Sequence, residues 1–182
     1  GIEAILLACE RAGVSDLRHV ANVLAQVYHE TGGQMLPVKE TVYASSTNRN
    51  PSDAEVIRRL DTAFRKGQLP WVKTPYWRTG WFGRGQIQIT HEDNYRRIGA
   101  AIGIDLVVNR DLALSLGISA AIAVVGMRDG LFTRRKLADF FNDRTDDPAG
   151  ARAIVNGDTK VIGPKIASYH RAFFVALEAA AP

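Results

Sequence analysis

At 182 residues the chain is long enough for one well-buried core, and no linker composition divides it, so residues 1–182 read as a single domain. Lys and Arg outnumber Asp and Glu by 23 to 19, a net charge of +4 that favours polyanionic surroundings such as cell wall or nucleic acid without specifying either. The lone Cys9 excludes an intramolecular disulfide and a thiolate metal cluster, the four scattered histidines form no metal motif, and no apolar run is long enough to span a bilayer.

Taken from the N-terminus, Ile2, Ile5, Leu6 and Cys9 predict a short helix stopped at Gly13. A longer amphipathic helix follows, capped by Ser15 or Asp16, with Leu17, Val20, Ala21, Leu24, Val27 and Tyr28 forming one buried stripe. It ends at His29-Glu30-Thr31-Gly32-Gly33, where the two glycines supply left-handed conformations and let other segments approach closely. Glu30 falls on the border of the stripe, where a side chain can face a cleft. A helix C-terminus disfavours an anion, and a carboxyl group whose ionised form is disfavoured suits a general acid. A solvated surface glutamate, with His29 serving the helix dipole, is the plainer account of the same residue.

Pro37 and the alternation of Val38, Glu40 and Val42 predict a short strand that sets Glu40 between apolar neighbours, with pairing to Lys39 on a loop as the alternative. Ser52-Asp53-Ala54-Glu55 predicts a capping box opening a helix through Val56, Ile57, Leu60 and Phe64 to Gly67. Trp71, Trp77 and Trp81 then lie with Tyr76 and Phe82 in a segment punctuated by Pro and Gly. Sugar rings stack on aromatic faces, but large aromatics are mostly buried. At least two of the three tryptophans are therefore expected to pin the loop to the core, and Trp81 is taken as a substrate contact.

Residues 83–90, Gly-Arg-Gly-Gln-Ile-Gln-Ile-Thr, predict a glycine turn and a strand with Ile87 and Ile89 on one face and Gln86, Gln88 and Thr90 on the other. A face of amides and a hydroxyl suits a neutral, hydroxyl-rich ligand, and no Gly-Lys-Ser/Thr follows to make a phosphate cradle. Thr90 through Asp93 is expected to cap a helix carrying Tyr95, Ile98 and Ile102 and ended by Gly103. Leu112 to Met127, rich in Leu, Ala, Ile and Val, predicts a buried central helix whose Gly117 and Gly126 permit close packing. Thr133 is expected to start a helix with Arg134-Arg135-Lys136 as a solvated face, and Asp147-Pro148 to cap a short helix ending at Asn156-Gly157. A last helix, about Val161 to Ala180, turns Ile166, Tyr169, Phe173 and Leu177 inward and is expected to bring Arg171 toward the cleft. The class is mainly α with a small β element.

The motif at 29–33, the 83–90 segment with Asn94-Tyr95, and Ile154-Val155-Asn156-Gly157 together resemble glycoside hydrolase family 19, in matching order from about Leu17 to Leu177. The resemblance implies a lysozyme-like, two-lobed, α-rich fold with a small β element beside the cleft. It also implies Glu30 as general acid and Thr90 as a holder of the attacking water. Gln88, Asn94, Asn156 and Arg171 match its sugar-contacting or network positions, and His29 and Tyr95, inside the motifs, are taken with them. The second carboxylate departs from the plant-chitinase pattern: Glu55 lies near the plant spacing, whereas Glu40 lies closer, as in phage and bacterial lysin-like members. Glu40 is chosen as general base because Glu55 is already explained by the capping box.

The expectation is inverting hydrolysis of β-1,4 bonds between N-acetylated amino sugars of peptidoglycan, with chitin as the second substrate and a non-catalytic glycan-binding module as the alternative. The carboxyl groups of Glu30 and Glu40 should then face each other roughly 6.5–9.5 Å apart. No cofactor or metal, no nucleic-acid partner and no membrane insertion are expected, and the chain is expected to be a monomer. No basic n-region precedes the apolar residues of the first nine, so synthesis in the cytoplasm followed by action on the wall, as for a phage lysin, or secretion is expected.

Overall fold

The computed structural model describes residues 1–180. Six α-helices and a two-stranded sheet make it mainly helical, as the sequence predicts. The α-helices are α1 (Ile2–Arg11), α2 (Leu17–Glu30), α3 (Asp53–Arg65), α4 (Glu92–Ile102), α5 (Leu116–Asp129) and α6 (Thr159–Ala180). The sheet pairs β1 (Val38–Lys39) antiparallel with β2 (Arg84–Gly85), Val38 opposite Gly85 and Lys39 opposite Arg84.

The elements start where local chemistry allows. Asp16 caps α2 by accepting from the Arg18 N–H at 2.8 Å, and Ser52 caps α3 by accepting from the Glu55 N–H at 3.3 Å. α2 ends because Gly32 and Gly33 take φ of 59° and 84°, and a Cβ on Gly33 would press on the Tyr28 ring. α5 is the central wall. Its Ala120, Ala123, Val124 and Met127 join the main core with α1, α2 and the C-terminal segments, while its Ile122 turns to a second cluster with Ile89, Tyr95, Ile98 and Leu106. A third cluster, Val56, Leu60, Trp77 and Phe82, holds α3 against the 3₁₀ turn Tyr76–Thr79. Six α-helices with one small two-stranded sheet are what a lysozyme-like fold leads one to expect.

Several predicted elements are shorter or differently built. The strand through Val42 stops at Lys39, because Thr41 adopts φ 72° and turns the chain. Glu40 consequently does not sit in an alternating strand. Residues 84–89 double back on themselves, Arg84 and Ile89 exchanging backbone hydrogen bonds around Gly85 and Gln88, whose φ values are 94° and 39°. Gln86, Gln88 and Thr90 therefore do not share a strand face. The N-cap of α4 is His91, at φ 66°, and its side chain makes no capping bond, so neither Thr90 nor Asp93 caps that helix.

The predicted central helix is broken at Ser115 into a 3₁₀ turn (Arg110–Leu114) and α5; Gly126 lies against the Phe132 ring, while Gly117 faces open space. No helix starts at Thr133: Arg134 takes φ 70°, and only a 3₁₀ turn over Leu137–Asp139 forms, leaving residues 134–136 exposed as expected. The short helix after Asp147 is a 3₁₀ turn (Gly150–Ile154), anchored by Asp147 Oδ1 accepting from the Gly150 N–H at 2.8 Å.

Candidate active site

Glu30 closes the last turn of α2, and its carboxylate is not left to the helix dipole. Arg152, on the 3₁₀ turn before α6, donates from Nη1 to Glu30 Oε1 at 2.5 Å. The same guanidinium donates from Nε to Asp158 Oδ1 at 2.7 Å and from Nη1 to Gln26 Oε1 at 3.1 Å, and Gln26 Nε2 donates to the Ala151 carbonyl at 3.1 Å. The Arg152 side chain is 3% exposed, against 19% for Glu30. A buried cation thus offsets the cost of an anion at a helix C-terminus. Arg152 lies between Asp147-Pro148 and the Ile154–Gly157 motif, and its own sequence neighbourhood carries no signal for the role.

Asp158 is held below the usual carboxylate range, chiefly by the hydrogen bond from Arg152, with burial opposing. His29 is half-buried beside this pair, and its basicity is lowered, first by burial, against the raising effect of Glu30.

Glu40 is held by different chemistry. Its Oε1 accepts from the Tyr76 hydroxyl at 2.7 Å and its Oε2 from the Gly83 N–H at 2.8 Å, while its own N–H donates to the Gly83 carbonyl at 2.7 Å. Burial, then the Glu40 charge, pushes the Tyr76 phenol up, so that it remains a donor at neutral pH. Lys39 does not pair with Glu40. It points to Asp53 Oδ1 at 2.8 Å and the Pro51 carbonyl at 3.1 Å, joining a network in which the wholly buried Arg84 reaches Asp53 Oδ2 and Asp111 Oδ1, each at 2.8 Å. Two cations and two carboxylates thus fasten β1, β2, α3 and the Arg110–Leu114 turn beneath the Glu40 loop.

Glu55 forms only half of the predicted capping box. Its N–H is capped by Ser52, but its carboxylate takes Arg58 through both oxygens at 2.8 Å and Arg59 Nε at 2.7 Å. Those bonds, Arg58 first, hold its pKa down to about 2.

The turned segment 83–90 begins at Gly83, whose N–H holds Glu40. Gln88 donates from one amide nitrogen to the Val38 and Gly85 carbonyls, each at 2.8 Å, and its oxygen lies under Gly83, so its first role is to pin the turn. Gln88, Thr90 and Asn94 line one polar hollow together with Phe132 and Val155, the last being three residues beyond Arg152. Asn94 donates to the Thr90 carbonyl at 2.8 Å and accepts from Arg97 at 2.8 Å. His91, next to Thr90, has its ring 4.8 Å from that of Tyr76, the donor to Glu40. Asn156 is exposed, its side chain folded onto the Gly157 N–H at 2.7 Å.

Three of the predicted contacts are placed elsewhere. Tyr95 is fully buried, donates to the Phe82 carbonyl at 3.0 Å and is pushed up to about 12, mainly by burial, which leaves it no surface for a sugar. Trp81 is half-buried, with the Arg110 guanidinium 4.7 Å over its ring and Tyr95 at its edge. Arg171 is exposed on α6 beside Asp146, Pro148 and Phe174, a hollow that contains none of the residues around Glu30 or Glu40, because α6 turns it away from the α2 side. Trp77 is wholly buried with its Nε1 on Asp61 Oδ1 at 2.8 Å, and Trp71 is 73% exposed, so two of three tryptophans do pin the loop.

Residues 9–128 match the glycoside hydrolase family 19 description, chitinase class I. A protein named endochitinase from Solanum tuberosum is 34% identical over 52% of this chain and 27% of its own length, and one named chitinase 11 from Oryza sativa subsp. japonica is 54% identical over 19% of this chain and 14% of its own. The chain therefore spans well under half the length of these two relatives. With the family match reaching from the end of α1 to the end of α5, across Glu30, Glu40 and the 83–90 turn, the chain belongs to glycoside hydrolase family 19.

Proposed function

We propose that the protein hydrolyses β-1,4 bonds between N-acetylated amino sugars of peptidoglycan with inversion, Glu30 acting as general acid and Glu40 as general base. The observation that carries this reading is that each carboxylate is oriented by its own set of donors: Glu30 by Arg152, which Asp158 and Gln26 hold in turn, and Glu40 by the Tyr76 hydroxyl and the Gly83 N–H.

Protonated Glu30 gives its proton to the leaving glycosidic oxygen, and the carboxylate left behind is met by Arg152, whose charge is already in place and needs no reorganisation. Asp158 keeps that guanidinium oriented throughout. Glu40 takes a proton from water on the opposite ring face; the hydroxyl of Tyr76 and the N–H of Gly83 fix its carboxylate plane while leaving lone pairs for that water. Thr90, on the polar hollow shared with Gln88 and Asn94, supplies a hydroxyl to orient the same water. Each proton moves between oxygen atoms, and the glycosidic C–O bond breaks as the water oxygen forms a new C–O bond to the anomeric carbon on the opposite face.

Peptidoglycan is favoured by the basic balance of the chain, which suits an anionic wall polymer. Chitin is the second reading, favoured by the names of the two plant relatives. In keeping with the first reading, the protein acts on the wall as a monomer, as a lysin released from the cytoplasm does.

NMR of the first-formed anomer, on stripped glycan strands beside a soluble chitin oligomer, tests both mechanism and substrate. An α-anomer from the wall glycan supports the reading. A β-anomer overturns inversion, and cleavage of chitin alone overturns the substrate.

A further inference from the structure

A second hollow, of about 650 Å³, opens on the side of Glu40 that faces α3. Its walls come from Thr41 and Tyr43 on the loop after β1, Arg59 and Leu60 on α3, and Leu69 and Trp71 on the segment after α3. The volume is that of an ordinary small-molecule pocket. Leu60 and Leu69 make its lining apolar, and Tyr43 and Trp71 are 71% and 73% exposed, two large rings without a partner in the core. Exposed aromatics beside an apolar hollow mark a binding surface rather than a packing one.

Two polar features of this hollow are left wholly or partly without partners. The hydroxyl oxygen of Thr41 is buried and has no protein partner, and the residue carries φ 72°, a left-handed backbone that a β-branched side chain adopts only under strain. Arg59 donates from Nε to Glu55 at 2.7 Å, but Arg58 already occupies both oxygens of that carboxylate, and the terminal nitrogens of Arg59 have no hydrogen-bond partner among the described residues. Arg49, donating to the Tyr43 carbonyl at 2.6 Å, adds a further positive charge at the edge. Arg59 is thus the cation on the wall of a hollow whose one lining carboxylate, Glu40, is already engaged by Tyr76 and Gly83.

A neutral glycan offers such a guanidinium nothing to neutralise, whereas a branch that ends in a carboxylate offers the planar, bidentate acceptor that an arginine fork matches. We infer that this hollow is a subsite for the acidic peptide branch borne by alternate sugars of peptidoglycan. Arg59 receives a branch carboxylate, the Thr41 hydroxyl bonds the branch amide backbone, and Trp71 and Tyr43 cover its apolar side chains. The inference rests on the peptidoglycan reading above and makes the hollow the part of the molecule that distinguishes wall glycan from chitin.

The test uses the Glu30→Gln protein, which binds without cutting, and two soluble probes: a wall-derived disaccharide carrying an acidic tripeptide, and the same disaccharide with the peptide removed. Affinities are read by calorimetry and by tryptophan fluorescence. The peptide-bearing probe should bind at least about tenfold tighter than the stripped one, equivalent to about 1.4 kcal/mol. Adding Arg59→Gln should erase that advantage, and Trp71→Ala, at an exposed position with little bearing on folding, should reduce it and abolish the fluorescence change. Equal affinity for the two probes, or the same loss on both in the Arg59→Gln protein, overturns the subsite. Wild-type hydrolysis of stripped glycan strands is followed in parallel. Cleavage of those strands with equal probe affinities removes the branch subsite and leaves the catalytic reading intact, whereas failure to cleave any wall-derived glycan removes the catalytic reading itself.

Discussion

The Glu30 and Glu40 regions place a carboxylate at a half-buried position by opposite means. Glu30 rides on a regular helix whose buried face includes Val20, Ala21, Val23, Leu24 and Val27, and a single arginine from the far end of the chain neutralises it. Glu40 sits on an irregular loop, stops a two-residue strand, and is fixed by a phenol and a backbone N–H, with the charge balance kept one layer below in the Lys39, Asp53, Arg84 and Asp111 network. A rigid helix can carry a charged partner directly against its carboxylate. A loop needs its ionic fastening underneath, where it stiffens the backbone without engaging the side chain.

The sharpest break in the comparison is Glu30→Gln. It should lower turnover on wall glycan by about 100- to 10,000-fold, the range for losing a positioned acid, with helical circular dichroism unchanged because the amide can still accept from Arg152. The helix dipole alone argues that this change leaves stability equal or higher. The Arg152 pair reverses that expectation, so a small drop in melting temperature should accompany it.

Glu40→Gln should cost a similar factor, while Glu55→Gln, whose carboxylate serves Arg58 and Arg59, should change turnover by no more than about twofold. If the two results exchange places in a turbidity assay, the base is Glu55 and the contrast between the regions dissolves. Arg84→Met tests the fastening beneath the loop. Removing a wholly buried cation from two carboxylates should destabilise the fold by about 3 kcal/mol in urea denaturation, and a loss confined to activity would show that the network acts only on Glu40.

Thr90→Ala should reduce turnover by about fivefold to tenfold, the worth of one hydrogen bond near 1 kcal/mol, with stability unaffected, since Thr90 does not cap α4. Untouched activity would mean that the water is held elsewhere. The smallest expected effect concerns the main core that carries Glu30. His170, stacked between Phe141 and Phe174 and bonded to the Arg18 carbonyl at 3.1 Å, has its basicity lowered, first by burial. A histidine whose folded-state pKa is depressed contributes stability that is present above its unfolded value of about 6.5 and lost as pH falls through the folded value. Melting temperature should therefore decline between pH 7.5 and 5, and His170→Phe should flatten that slope; an unchanged slope assigns it to other groups.

The local rules of the chain were enough to write much of this molecule. The apolar period of Leu17 to Tyr28, the cap at Asp16, the stop at Gly32 and Gly33, and the burial of α5 are consequences of neighbours within a few residues, and such consequences survive folding. The same locality put Glu30 at a helix end and assigned the N–H of Glu55 to the Ser52 cap. Where local pattern failed, a distant contact had intervened. The alternation at Val38 to Val42 and at Gln86 to Thr90 is real in sequence, but Glu40 folds onto Gly83 and Gln88 onto the Val38 carbonyl, and each of those bonds requires a turn where a strand was expected. Tyr95 belongs to a motif that suggests recognition, yet its hydroxyl is consumed by Phe82 and Arg84. Arg152 is the largest omission. It lies 122 residues from Glu30, and only the packing of the Gly150–Ile154 turn against α2 brings its charge to that carboxylate. Hydrophobic period and capping chemistry act through neighbours along the chain and are legible there, whereas charge partners across the fold are chosen by tertiary packing, which decides whether a glutamate at a helix end stands alone or is met by a buried cation.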